Sequence, residues 1–261
     1  MRKLHKLDSL INSRALLPLL LLLAWEVAAR TGVIPPRIMA APSAVFGTFL
    51  GLVKSGELPI ALLASLSRVA TGLTLGISAG TVLALVSGLS RRGETLVDPV
   101  MHILRTLPFL GLVPLFIVWF GIGEAPKIGL ISLGSAFPIY LNLFSGIRNV
   151  DPKLVEATES FGLSRIGLIL HVVLPGAAPG FLAGLRHAFA YSLLSLVVAE
   201  QINASSGLGY LINTARDFLR TDVIVVCLLV YAGLGLASDF LIRRLEGRIL
   251  AWRPSLLERA A

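Results

Sequence analysis

The chain has 261 residues, 55% of them hydrophobic and only 15% charged, with a mean hydropathy of +0.83. That balance is more apolar and less charged than soluble globular domains allow, so it defines an integral membrane protein. The formal net charge of +8 does not indicate nucleic acid, because the basic residues gather at the ends of apolar runs, with no basic stripe or aromatic stacking motif beside them.

A helix needs roughly 20 apolar residues to cross a hydrocarbon core. About six stretches qualify, near 15–31, 62–89, 96–120, 128–147, 179–199 and 223–242. The first follows Arg2, Lys3, Lys6 and Arg14 but lacks a convincing small-x-small cleavage site, so it reads as an uncleaved anchor. Residues 1–14 then form a cytoplasmic tail, 15–247 the membrane domain and 248–261 a second cytoplasmic tail. This orientation puts Arg91, Arg92, Arg148, Lys153, Arg165, Arg243, Arg244 and Arg248 inside, with far fewer basic residues outside, as the positive-inside rule requires.

The second span carries Gly72, Gly76, Gly80, Ala84 and Gly88 at four-residue intervals, which lines one helix face with small residues and admits another backbone closely. Pro108, Pro114 and Pro138 interrupt the third and fourth spans, as a solute channel or packing around a bend would require. In the third span His102 and Arg105 share a face, with Phe109 a turn further on. They are either pathway residues or side chains snorkelling to the cytoplasmic surface. Arg68 reads as an outer-edge snorkelling residue, and Asp239 with Arg243 as a helical ion pair. Glu200, directly after LLSLVVA, is a third pathway candidate, and could instead cap backbone donors, position the turn that follows or meet a partner.

Cys227 is the single cysteine, so an internal disulfide is excluded and no metal-ligand spacing exists. No H-E-x-x-H or G-x-S-x-G accompanies the four histidines, which leaves an intramembrane enzyme as the remoter alternative. No G-x-x-x-x-G-K-[ST] occurs either, so nothing here cradles a nucleotide phosphate in the P-loop manner.

Between the fourth and fifth spans, residues 151–175 form a polar excursion. Asp151-Pro152 reads as an N-cap with proline at the first helical position, Gly162 as a left-handed stop, and Ser164 as the cap of a second helix leading toward Pro175, with Pro179 opening the next span. Helices this short are marginal alone in water, so the hairpin requires a docking surface.

The stretch EATESFGLSRIGLILHVVLP resembles the EAA signature of ABC importer permeases: Glu156, Ala157, Gly162, Leu174 and Pro175 keep its register, while Thr158 and Val172 replace an alanine and an isoleucine. The resemblance extends through SGLSRRGETLVDPV, LVPLFIVWFGIG, FPIYLNLFSGIRNVDPKLVEA and HVVLPGAAPG, and is nearest the aliphatic sulfonate branch, with taurine and nitrate permeases close by. It implies an all-α type I ABC importer (MetI-like) permease fold in the inner membrane. It also implies a homodimer served by two copies of a cytoplasmic ATPase, which uses ATP and Mg itself, and by an extracytoplasmic solute-binding protein. The chain would bind no cofactor or metal of its own. Residues 213–222, with Arg216 and Arg220, would suit docking of the binding protein, which Glu200 could also meet, and Arg105 would complement a sulfonate. Taurine, nitrate and a pyrimidine or vitamin precursor remain alternative solutes, and a secondary transporter has no evident use for such a hairpin.

Overall fold

A computed structural model describes residues 16–252, apart from the side chains of Phe109, Leu110, Glu159 and Asn203. The basic residues Arg2, Lys3, Lys6 and Arg14 lie outside the described residues. Every regular element among the described residues is helical, as expected where no water is present to satisfy open backbone groups. In chain order these are α1 (Leu16–Arg30), α2 (Pro42–Lys54), α3 (Glu57–Leu89), α4 (Arg91–Thr106), α5 (Phe109–Phe120) and α6 (Glu124–Arg148). They are followed by α7 (Pro152–Ser160), α8 (Arg165–Leu168), a π-helical turn (Ile169–Val173), α9 (Leu174–Asn203), α10 (Leu208–Asp217) and α11 (Thr221–Ile249). Four helical segments are long and apolar enough to cross a membrane unaided, and α4 with α5 makes a fifth as a bent pair. The described part of α1 is 15 residues long, about 22 Å at helical rise, with an exposed leucine face.

The centre of the fold is α6, held between α3 and α9. The glycine ladder of α3 faces it. A Cβ on Gly76 would stand 2.4 Å from the Ser132 carbonyl oxygen, and one on Gly80 would stand 2.5 Å from that of Ala136. Ala84 in the same row is fully buried, and Gly72 and Gly88 meet Ile131 and Ile147. On the opposite side Gly180 and Gly184 of α9 bring the two backbones equally close, at Asn142 and Pro138. Lipid supplies no hydrophobic drive between helices, so this close packing is what binds the three together.

The polar face of α4 docks on the Arg148 end of α6. Asp98 accepts a hydrogen bond of 2.9 Å from the Tyr140 hydroxyl, and Glu94 pairs with Arg148. Tyr140 is fully buried, its ring stacked on Phe144. Tyr140→Phe keeps the stack and removes the hydroxyl, so we expect a loss of about 1 kcal/mol, read as a melting temperature roughly 2–4 °C lower in detergent. An unchanged melting curve would show that this hydrogen bond contributes nothing to stability.

Two sequence expectations change. The stretch 96–120 is not one span, because the chain bends by 115° between α4 and α5. Leu107 and Pro108 are both extended, at ψ 134 and ψ 120: proline has no N–H to continue the helix and disfavours helical geometry in the residue before it. Phe109 therefore opens a new helix and does not extend the His102–Arg105 face. The second arm of the hairpin also does not stop at Pro175. It runs from Arg165 to Ile202 as one segment of 38 residues. The π-helical turn makes this possible, since Leu174 donates its N–H to the Ile169 carbonyl five residues back and the register shifts just ahead of the donorless Pro175.

Candidate functional site

The hairpin is built by local capping. Asp151 accepts the Lys153 N–H at 2.9 Å, Pro152 occupies the first helical position, and Ser164 accepts the Gly167 N–H at 3.2 Å. Gly162 turns the chain at φ +74, a left-handed conformation that costs an L side chain roughly 1–2 kcal/mol. No α7 residue with a described side chain is buried. Leu154, Leu163, Ile166 and Leu170 are exposed, and Phe161 shows 85% of its surface. Glu156 and Ala157 are exposed on α7, Leu174 is half-buried and Pro175 exposed where the second arm enters the body of the protein. The pair of arms thus presents an apolar, charge-edged outer surface, while Leu168 and Val173 of the second arm pack against Met101, Tyr140 and Ile147.

About halfway along α6 and α9 lies a cleft of about 440 Å³. Its wall is mostly apolar, with Phe137, Pro138 and Leu141 on α6, and carries Arg105 from the end of α4, Asn142 from α6, and His187 and Tyr191 from α9. His102 does not line it; its ring is exposed and stands 3.4 Å from Asp98 on its own helix. The sequence reading overlooked His187, although an ionisable residue within an apolar run was a signal in plain view. The adjacent Arg186 turns away to α11, where Glu246 and Asp239 hold it at 2.5 and 3.5 Å.

Glu200 is also absent from the cleft wall. It is wholly buried where α3, α9, α10 and α11 meet, accepting bonds from the Ser65 hydroxyl at 2.8 Å, Arg68 at 2.5 Å, the Gly209 N–H at 2.8 Å and the Tyr231 hydroxyl at 3.4 Å. It therefore caps backbone and positions the turn before α10. Arg68 is not a snorkelling residue: only 4% exposed, it bonds Glu124 through two nitrogens at 2.5 and 2.9 Å and also reaches the Ser206 carbonyl. Lys127 completes the cluster at 2.8 Å from Glu124. Asp239 pairs with Arg243 as well as with Arg186. Among the residues 213–222, Arg216 and Arg220 pair locally with Asp217 and Asp222.

A helical body with several segments long enough to cross a membrane, a cleft halfway along two of them and a capped hairpin with exposed apolar side chains suits a transport subunit that another polypeptide drives. The chain belongs to the family described as binding-protein-dependent transport system inner membrane component, which it matches over residues 72–251. It is 46% identical over 239 residues to the aliphatic sulfonates transport permease protein SsuC of Escherichia coli (strain K12), covering 92% of this chain and 91% of that one. The protein of the same name from Bacillus subtilis (strain 168) is 40% identical over 92% of this chain and 87% of its own length. The taurine transport system permease protein TauC of Escherichia coli (strain K12) is 32% identical over 89% of this chain and 86% of its own.

Among solved structures, a chain of an amino acid ABC transporter with histidines superposes with a TM-score of 0.65 at 19% identity, over 77% of this chain and 98% of that one. The MetNI methionine ABC transporter in an inward-facing conformation gives 0.55 at 18% identity, over 69% and 92%. The fold is that of type I ABC importer permeases. The chain is a transmembrane subunit of an ABC importer in the inner membrane, not itself an enzyme, and its partners are an ATPase and a binding protein.

Proposed function

We propose that the chain forms the translocation pathway of an aliphatic sulfonate importer. It works as a homodimer with two copies of a cytoplasmic ATPase, which alone uses ATP and Mg, and with an extracytoplasmic binding protein. Both termini and the hairpin 151–175 face the cytoplasm in this reading, and neither nucleic acid nor a metal takes part. The observation that carries the mechanism is the hairpin itself: a capped helical pair whose apolar side chains Leu154, Phe161, Leu163 and Ile166 are exposed among the described residues. Sulfonate as the solute is supported by the 46% and 40% identity to sulfonate permeases, against 32% to the taurine permease.

In this mechanism Glu156, Ala157 and Gly162 sit in the ATPase, and Leu174 with Pro175 anchors the second arm. Closure of the ATPase draws the two hairpins together and reorients the spans about the cleft. Nucleotide can drive this only through a difference in its affinity for the two conformations. Gly162→Val tests the grip, because a β-branched residue resists φ +74. With the ATPase and binding protein present, ethanesulfonate uptake is expected to fall about fivefold to thirtyfold, the effect of roughly 1–2 kcal/mol of strain at the turn, while the protein still reaches the membrane. Wild-type uptake by this variant, or uptake of taurine or nitrate in preference to ethanesulfonate by the native complex, would overturn the respective part of the proposal.

A further inference from the structure

The cleft between α4, α6 and α9 contains an unbalanced charge. Among the described residues Arg37, Arg91, Arg92, Arg105, Arg165, Arg244 and Arg248 have no carboxylate within 4.0 Å, and of these Arg105 lines the cleft, whereas Arg148 and Arg186 nearby are paired. No aspartate or glutamate lines the cleft. His187 and Tyr191 stand one helical turn apart on α9, and Asn142 and Pro138 one turn apart on α6, all near the middle of their helices. Arg105 is exposed in the last turn of α4, so its guanidinium is free to meet an anionic solute entering the cleft. A cavity of 440 Å³ falls in the range that takes small organic ligands, and its wall is mostly apolar with a few polar groups, as in ligand sites generally.

We propose that this cleft is a transient binding site for alkanesulfonates, in which Arg105 and His187 hold the sulfonate oxygens and Phe137 and Leu141 receive the alkyl chain. The inference rests on the sulfonate reading given above and assigns the residues that carry it. A sulfonate remains anionic throughout the physiological range and offers only acceptors. The Arg105 fork can donate to two of its oxygens and an imidazole N–H to a third. With no carboxylate on the wall, an ammonium group finds no counter-charge, so alkanesulfonates rank above aminosulfonates such as taurine. Binding is weak by design, since a solute in transit must leave as readily as it enters.

The test uses the permease purified with its ATPase and without the binding protein, with radiolabelled ethanesulfonate retention measured by equilibrium dialysis and ATPase co-purification as the measure of assembly. R105Q is expected to bind roughly tenfold to a hundredfold more weakly, the loss of one or two charge-assisted hydrogen bonds. R105K recovers most of the binding, H187Q loses several-fold, and unlabelled taurine competes less well than unlabelled ethanesulfonate. Undiminished retention by an assembled R105Q complex overturns the site, as does equal competition by taurine. Should R105Q not assemble, H187Q decides, and unchanged retention by it overturns the assignment. Uptake assays with the binding protein separate the two levels: native complex that imports ethanesulfonate but shows no Arg105-dependent retention removes the site alone. Native complex that imports no sulfonate removes the functional reading beneath it.

Discussion

Glu200→Leu is expected to destabilise the protein by about 3–5 kcal/mol, the usual consequence of removing one partner from a buried ion pair. The Glu200 side chain is completely buried and that of Arg68 is 5% exposed, so neither charge has water to fall back on. The substitution leaves Arg68 with Glu124 as its remaining carboxylate and strips the acceptor from the Ser65 hydroxyl and the Gly209 N–H. It also releases the loop before α10, since Arg68 holds the Ser206 carbonyl at 2.7 Å and Ser65 accepts the Leu208 N–H at 2.9 Å. The measurement is a melting curve in detergent together with the amount of folded protein recovered from membranes. Glu200→Gln, which keeps an acceptor but no charge, should fall between the two. Adding Arg68→Met to Glu200→Leu should restore at least about 1 kcal/mol through removal of the surplus positive charge, because Glu124 and Lys127 then still balance each other. A Glu200→Leu protein that melts with the native one would mean that the cluster does not hold these four helices together.

The second large effect is expected at Gly76. Gly76→Ala places a Cβ 2.0 Å from the Ser135 hydroxyl and 2.4 Å from the Ser132 carbonyl oxygen. The hydroxyl can rotate, but the carbonyl belongs to the α6 backbone and cannot move without parting the helices. We expect a cost of about 1–3 kcal/mol for alanine and little or no folded protein for Gly76→Leu, measured as monodisperse protein after extraction. Gly51→Ala on α2 is the control. Its Cβ would meet nothing within 4 Å, and helix propensity alone should make it neutral or up to about 1 kcal/mol stabilising. If both alanine variants behave alike, the close approach of α3 to α6 is not what stabilises the pair.

How much was legible in the sequence depended on how local the determining physics is. The hairpin was readable because Asp151, Pro152, Gly162 and Ser164 act within a few residues of themselves, and the structure shows those caps where the sequence places them. The small-residue row of α3 was readable as a row, but its partner was not. Nothing in the spacing of Gly72, Gly76 and Gly80 points to Ile131, Ser135 and Ala136. Arg68 was misread because snorkelling is a local explanation, whereas its counter-charge lies 132 residues away at Glu200. Hydropathy is one-dimensional and sums across a corner, so 96–120 looked like one span although Leu107 and Pro108 turn the chain. Arg105 was suspected from its depth, but its neighbour His187 emerges only when α4, α6 and α9 are brought together.

The unbroken run from Arg165 to Ile202 has a mechanical consequence. His187 stands on the same helical segment as the hairpin's second arm, about 33 Å along it at helical rise, with the π-helical turn and Pro179 between them. A displacement at Ser164 would reach His187 along one helical segment whose bend is set by the π-helical turn and Pro179, and Gly180 and Gly184 mesh that segment with α6 like adjoining gear teeth.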